Sequence, residues 1–124
     1  MIDSYFEEII LKLSEAPYVN SFAVIKRKTT STDGYLRIKA DITNDDILEI
    51  SIYCQCIGMS VEVIDYRYHW QDKNGILKRR WDNCKHHKEI RTFPFHVHVE
   101  KDEIVEPSEK MDIYKAIEMV GKNI

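Results

Sequence analysis

The sequence predicts an α+β fold within a single domain of residues 1–124: an N-terminal helix, a five- to six-stranded antiparallel sheet and a C-terminal helix. Three features predict this class. Apolar residues recur at helical spacing near both ends, they alternate with polar residues in between, and short turn motifs separate the alternating segments. Because the two helices would pack against one face of the sheet, we expect the other face to be open.

The two helices are predicted from apolar stripes. The first stripe starts at Ile2 and stops before Pro17, which ends the helix. The second helix is expected to begin at residues 106–108, which read Glu-Pro-Ser, and to end at Gly121. The stripes contain Ile2, Tyr5, Phe6, Ile9, Ile10 and Leu13 in the first helix and Met111, Tyr114, Ile117 and Val120 in the second.

The strands are predicted from apolar residues at every second position, which bury one face and leave the other polar. Asn74-Gly75 is the strongest turn signal in the chain. A two-residue turn there would place His69 opposite Arg80 and Gln71 opposite Lys78. The predicted strands cover residues 19–29, 36–42, 48–54, 60–71 and 93–99, with one more strand directly after the Asn74-Gly75 turn.

A basic, histidine-rich segment interrupts an otherwise acidic chain. Residues 67–101 contain 9 Lys and Arg against 4 Asp and Glu, whereas the rest of the chain contains 9 against 17. All five histidines and both tryptophans lie within residues 65–98. A basic segment in an acidic protein favours a binding site for an anion.

The remaining composition favours a cytoplasmic protein without a membrane anchor. No apolar run approaches the roughly 20 residues needed to cross a bilayer. The acidic N-terminus lacks the basic residues and the cleavage site of a signal peptide. The three cysteines are odd in number and not spaced as a disulfide framework, so we expect reduced thiols.

The phase of the strands places four candidate catalytic residues on the polar face: His69, Arg80, His96 and His98. Cleavage of RNA requires a base for the 2′-hydroxyl, an acid for the leaving oxygen and a cation for the charge at phosphorus. Imidazoles can take both proton-transfer roles near neutral pH, and arginine supplies a fixed charge. The candidate substrate-binding residues are Arg67, Lys78, His86 and His87. This chemistry requires no metal and no cofactor, and RNA is the expected substrate.

Other interpretations of these residues stay open. The histidines can be structural side chains on a wet polar face. His96 and His98 could instead bind a metal, although the Cys-x2-Cys and His-Glu-x-x-His spacings are absent. Cys84, close to His86 and His87, could be a nucleophile, but no oxyanion-hole signature accompanies it.

The basic segment contains three distinctive motifs. Residues 68–72 read YHWQD, residues 80–83 read RWDN with His86 and His87 shortly after, and residues 93–98 read FPFHVH. Together these motifs resemble the TumE family, small prokaryotic toxins of toxin–antitoxin modules. The resemblance extends over nearly the whole chain. The chain departs from the family pattern at Lys85, where proline is usual, and at Phe95 and Val97, where histidine and lysine are usual.

The resemblance implies a toxin that is neutralised by a co-encoded antitoxin, commonly a protein with a helix-turn-helix DNA-binding domain. The order of elements is also similar to that of RelE- and barnase-like ribonucleases, which is a fold-level analogy. The leading hypothesis is therefore a toxin that acts as a metal-independent endoribonuclease. The alternative is a non-catalytic module that binds nucleic acid or a nucleotide. The sequence leaves open whether the chain forms a homodimer.

Overall fold

The computed structural model describes residues 1–85, 87–99 and 104–124. It confirms the α+β class, with one helix at each end of an antiparallel sheet. Within the described ranges, neither helix is long and apolar enough to cross a bilayer. The helices are α1 (Ile2–Glu15) and α2 (Ile113–Lys122), and the strands are β1 (Val19–Thr29), β2 (Asp33–Ile42), β3 (Ile47–Ile57), β4 (Ser60–Gln71), β5 (Leu77–Asp82), β6 (His96–Val99) and β7 (Ile104–Pro107).

The strands form one meander in the order β1-β2-β3-β4-β5-β6-β7, in which each strand pairs with the next along the chain. The described sheet thus has seven strands, more than the five to six that the sequence predicts. The additional strand is β7, in the segment that was expected to begin the second helix. That helix starts only at Ile113, where the Asp112 side chain accepts a hydrogen bond from the Tyr114 backbone N–H at 2.6 Å.

Both helices pack against one face of the sheet and enclose the core. The predicted apolar stripes supply Phe6, Ile9 and Leu13 from α1 and Ile117 and Val120 from α2, and α2 adds Ile113, which was not part of the predicted stripe. They meet the inward residues of the sheet, which include Leu36, Ile38, Leu48, Ile50, Ile52, Tyr66, Tyr68, Trp70, Trp81 and Val97. Burial of this apolar surface holds both helices on the sheet.

A bulge at the start of β5 changes the position of one predicted site residue. His69 pairs with Arg80 as expected, but Gln71 pairs with Leu77, so the predicted pairing of Gln71 with Lys78 is wrong. The register shift between Trp70 and Gln71 leaves Lys78 as the extra residue on β5. Its ammonium instead binds Asp46, with Nζ at 2.7 Å from Oδ2.

Candidate functional site

The candidate site lies on the sheet face opposite the helices, where β4, β5 and β6 are adjacent. Their register forms two rows across three strands. Arg67, Asp82 and His96 form one row, and His69, Arg80 and His98 form the other. Because side chains alternate along a strand, all six leave the sheet on the same face. The predicted catalytic residues are therefore brought together on neighbouring strands.

The carboxylate of Asp82 is the centre of this arrangement. Its Oδ1 lies 2.7 Å from Nε2 of His96, and its Oδ2 lies 3.4 Å from Nε2 of His98. The guanidinium of Arg80 donates to Oδ2 from Nε at 3.2 Å, and the Cys84 backbone N–H donates to Oδ1 at 3.1 Å. Asp82 is only 6% exposed. These contacts replace the water that the buried charge has lost.

The ring of His96 lies between two hydrogen-bond acceptors. Nδ1 lies 2.9 Å from the carbonyl oxygen of Pro94, and Nε2 lies 2.7 Å from Oδ1 of the Asp82 carboxylate. The two contacts hold this ring in one orientation inside the buried cluster.

Three imidazoles meet beside Asp82. The ring centroids of His96 and His98 are 4.8 Å apart, and that of His87 lies 5.0 Å from His96 and 5.5 Å from His98. His87 lies between β5 and β6 in the chain, and its ring packs against the two strand histidines. His96 and His98 are consequently buried rather than open to solvent, at 2% and 6% exposure. One nitrogen from each ring lies within 4.8 Å of the others, close enough to be candidate ligands of one metal ion.

A cavity of about 450 Å³ opens on this cluster. Its volume is in the range of pockets that bind small molecules or single groups of a larger ligand. Basic and imidazole side chains form one part of its wall and tyrosines form another. The wall includes Arg67, Arg80, Asp82, His87, His96, His98, Tyr35, Tyr53 and Tyr66. The cavity therefore combines cations that can hold an anion with aromatic surface.

Comparison with known proteins adds one finding to this geometry. The family model described as Toxin TumE matches residues 6–124, nearly the whole chain. The chain belongs to the TumE toxin family. No curated protein and no solved structure matches it. Membership in this family makes the chain a toxin of a toxin–antitoxin module, which has an antitoxin as its partner.

The three segments that resemble TumE toxins fall on the three strands of the site. Residues 68–72 lie on and directly after β4, residues 80–83 lie on and after β5, and residues 93–98 lead into β6. Alternate residues of each segment lie on opposite faces of the sheet. Tyr68, Trp70, Trp81 and Val97 belong to the core, whereas His69, Arg80, Asp82, His96 and His98 belong to the site.

His69 differs from the other site histidines in its electrostatics. Burial lowers the pKa of its imidazole, and the nearby charges of Arg67 and Arg80 act in the same direction, whereas a hydrogen bond to Gln71 opposes them. His69 is therefore neutral at pH 7. Its Nε2 lies 2.9 Å from Oε1 of Gln71, which assigns the ring proton to Nε2. Nδ1 is buried and has no hydrogen-bond partner among the described residues.

The predicted substrate-binding residues have different positions. Arg67 is exposed and lines the cavity, and His87 lies against the other imidazoles. Lys78 binds Asp46 beside Trp70, on the helix side of the sheet, so we remove it from the candidate site. His86 lies outside the described residues.

Asp82 is the site residue that the sequence analysis did not select. It lies on the polar face because it pairs with Arg67 on one side and His96 on the other, and it was not among the predicted site residues. Two features of the sequence could have identified Asp82. It stands two residues after Arg80 at the end of a predicted strand, and the next strand carries two histidines. A buried anion is required where several cations converge.

We expect Asp82→Ala to lower the free energy of unfolding by about 3–5 kcal/mol, because it leaves the Arg80 guanidinium and the rings of His96 and His98 buried without the carboxylate that they contact. Urea denaturation of the purified protein measures this change. The matched control is Asp65→Ala, which removes an exposed carboxylate from β4 at the same cavity and should change stability by about 0.5 kcal/mol or less. Equal stabilities of the two variants would show that Asp82 does not organise the cluster.

Proposed function

We propose that this TumE toxin is a metal-independent endoribonuclease and that its active site is formed by the cavity over β4, β5 and β6 together with His69, which pairs with Arg80 but does not line the cavity. The observation that carries the proposal is the row His69, Arg80 and His98. It sets a fixed cation between two imidazoles on three adjacent strands. Neighbouring strands lie about 4.8 Å apart, so the two histidines have backbones roughly 10 Å from each other. A phosphodiester bound at Arg80 would have one imidazole on either side.

The proposed reaction is a transfer within the RNA strand. The 2′-oxygen forms a bond to phosphorus, the bond from phosphorus to the 5′-oxygen breaks, and a 2′,3′-cyclic phosphate and a 5′-hydroxyl result. His69, whose lowered pKa keeps the ring neutral, takes the proton of the 2′-hydroxyl through Nδ1, and RNA binding has to expose this buried nitrogen. His98 supplies the proton to the 5′-oxygen. Arg80, with Arg67, stabilises the charge that develops at phosphorus.

The other members of the cluster act through these groups. Asp82 holds Arg80 and His98 through the same oxygen, Oδ2, and it holds His96 through Oδ1. In this proposal His96 forms the buried wall of the site and does not contact RNA. The tyrosines Tyr35 and Tyr53 in the cavity wall offer ring faces on which a base can stack.

One observation favours a second candidate function. His96 and His98 are almost fully buried, as expected for side chains that only support the wall of a pocket. In that case the cavity would bind a nucleotide or an RNA segment through Arg67 without cleaving it. Growth separates the two functions, because a ribonuclease toxin arrests the cells that express it and a passive binder does not.

We expect His98→Asn to reduce the rate of RNA cleavage by about 10²- to 10⁴-fold, the usual contribution of a positioned acid or base. Single-turnover cleavage of a labelled RNA in EDTA measures the rate. Lys115→Ala is the control, since this exposed residue lies on α2, on the opposite side of the sheet. A His98→Asn variant that cleaves RNA at the wild-type rate would exclude His98 as the acid.

We further propose that the antitoxin neutralises the toxin by covering the cavity with an acidic segment. Arg67 is the suitable probe because it is exposed, whereas Arg80 is largely buried and bound to Asp82. Arg67→Glu should weaken both RNA cleavage and antitoxin binding, because the two anionic ligands would share one surface. Co-purification with the antitoxin, at two salt concentrations, measures the second effect. Unchanged antitoxin binding would place the partner on another surface.

A further inference from the structure

The three imidazoles of the cluster have the features of a transition-metal site. We propose that His87, His96 and His98, with Asp82 as a fourth ligand, bind one zinc ion. Histidine nitrogens and carboxylate oxygens are both zinc ligands in proteins, and zinc usually has four ligands in a tetrahedral arrangement. Donor atoms of the three histidines already lie within 4.8 Å of one another. The carboxylate of Asp82 lies beside two of them, at 2.7 Å from His96 and 3.4 Å from His98.

The outer partners of the imidazoles support this assignment. A histidine that binds a metal through one nitrogen usually donates the other N–H to a carbonyl or a carboxylate. His96 has its Nδ1 at 2.9 Å from the Pro94 carbonyl oxygen, and His87 has its Nδ1 at 3.4 Å from Oε1 of Glu89. Both contacts leave Nε2 as the donor for an ion.

Only a small contraction is needed to form the site. Two nitrogens bound to one tetrahedral zinc ion are about 3.3 Å apart, given zinc–nitrogen bonds of about 2.0–2.1 Å. A movement of up to about 1.5 Å by one ring is therefore sufficient to close the observed spacing. The ring of His87 can make this movement, because His87 lies on the connection between β5 and β6 and is half-buried. His96 and His98 are fixed by their strand.

The charges around the cluster determine which ions can bind. Asp82 and Glu89 supply negative charge, whereas the Arg80 guanidinium contacts Asp82 and opposes a dication. A hard ion such as Mg²⁺, which requires several oxygen ligands, has little to bind here. Zinc and other ions that prefer imidazole are favoured.

Bound zinc would also switch off the toxin, and this consequence rests on the proposed function. His98 cannot supply a proton to RNA while its nitrogen is a metal ligand. Zinc should therefore inhibit cleavage reversibly, and EDTA should restore it. The inhibition would couple the activity of the toxin to the supply of free zinc.

Calorimetric titration of ZnCl2 into the EDTA-treated, dialysed protein tests the site without using activity. We expect one zinc per chain. His87→Ala should weaken binding by more than the roughly 10- to 100-fold that loss of an outer partner costs, and Glu89→Gln should weaken it within that range. His69→Ala is the matched control, because it removes a histidine from the same sheet face outside the cluster. MgCl2 should give no binding.

Several results would overturn the zinc site. The site is rejected if the wild type does not bind zinc, or if His87→Ala binds zinc as tightly as the wild type. Loss of zinc binding in Cys84→Ser would also reject it, because the exposed Cys84 thiol would then be the ligand. Thermal unfolding of each variant without zinc confirms that the sheet is intact.

RNA cleavage is assayed separately from zinc binding, once in EDTA and once with added zinc. If the protein binds zinc but does not cleave RNA in EDTA, the zinc site is supported and the proposed ribonuclease activity is rejected. If zinc makes cleavage faster, the proposed inhibition by zinc is rejected.

Discussion

The buried negative charge of Asp82 is the constraint on which the site depends. Among the described residues, the buried polar side chains are Asp46, Asp82, His96 and His98, so three of these four belong to one cluster. A carboxylate can be buried only when cations and N–H groups surround it. Asp82 meets this requirement through Arg80, His96, His98 and one backbone N–H. The same contacts fix the groups that the proposed chemistry uses.

The topology explains why such a cluster can form from a short part of the chain. In a meander, β4, β5 and β6 are neighbours in both sequence and space, so residues 67–98 supply six side chains to one patch. Both helices pack on the opposite face, which leaves this patch without a helical cover. His87, which lies between β5 and β6 in the chain, packs against His96 there instead. Core and site therefore share the same three strands, on opposite faces.

The sequence predicts much of this arrangement because alternation and turn chemistry are local properties. The Asn74-Gly75 turn predicted the pairing of His69 with Arg80 correctly, and strand phase predicted that His69, Arg80, His96 and His98 lie on one face. Features that depend on distant contacts were missed. At the β5 bulge, Lys78 binds Asp46, which lies more than 30 residues away in the sequence. Strand β7 pairs with the edge of β6, which is also a contact outside the segment itself. The burial of His96 and His98 likewise depends on an irregular connection that no periodicity encodes.

The central claim is that this cavity cleaves RNA by proton transfer between imidazoles, and the chemistry of the product ends tests it most directly. Purified toxin is incubated with total RNA in EDTA, and the ends of the fragments are mapped for the wild type and for His69→Gln. The account predicts 2′,3′-cyclic phosphate and 5′-hydroxyl ends with the wild type and intact RNA with the variant. Intact RNA with the wild type, or fragments that carry 3′-hydroxyl and 5′-phosphate ends, would contradict it.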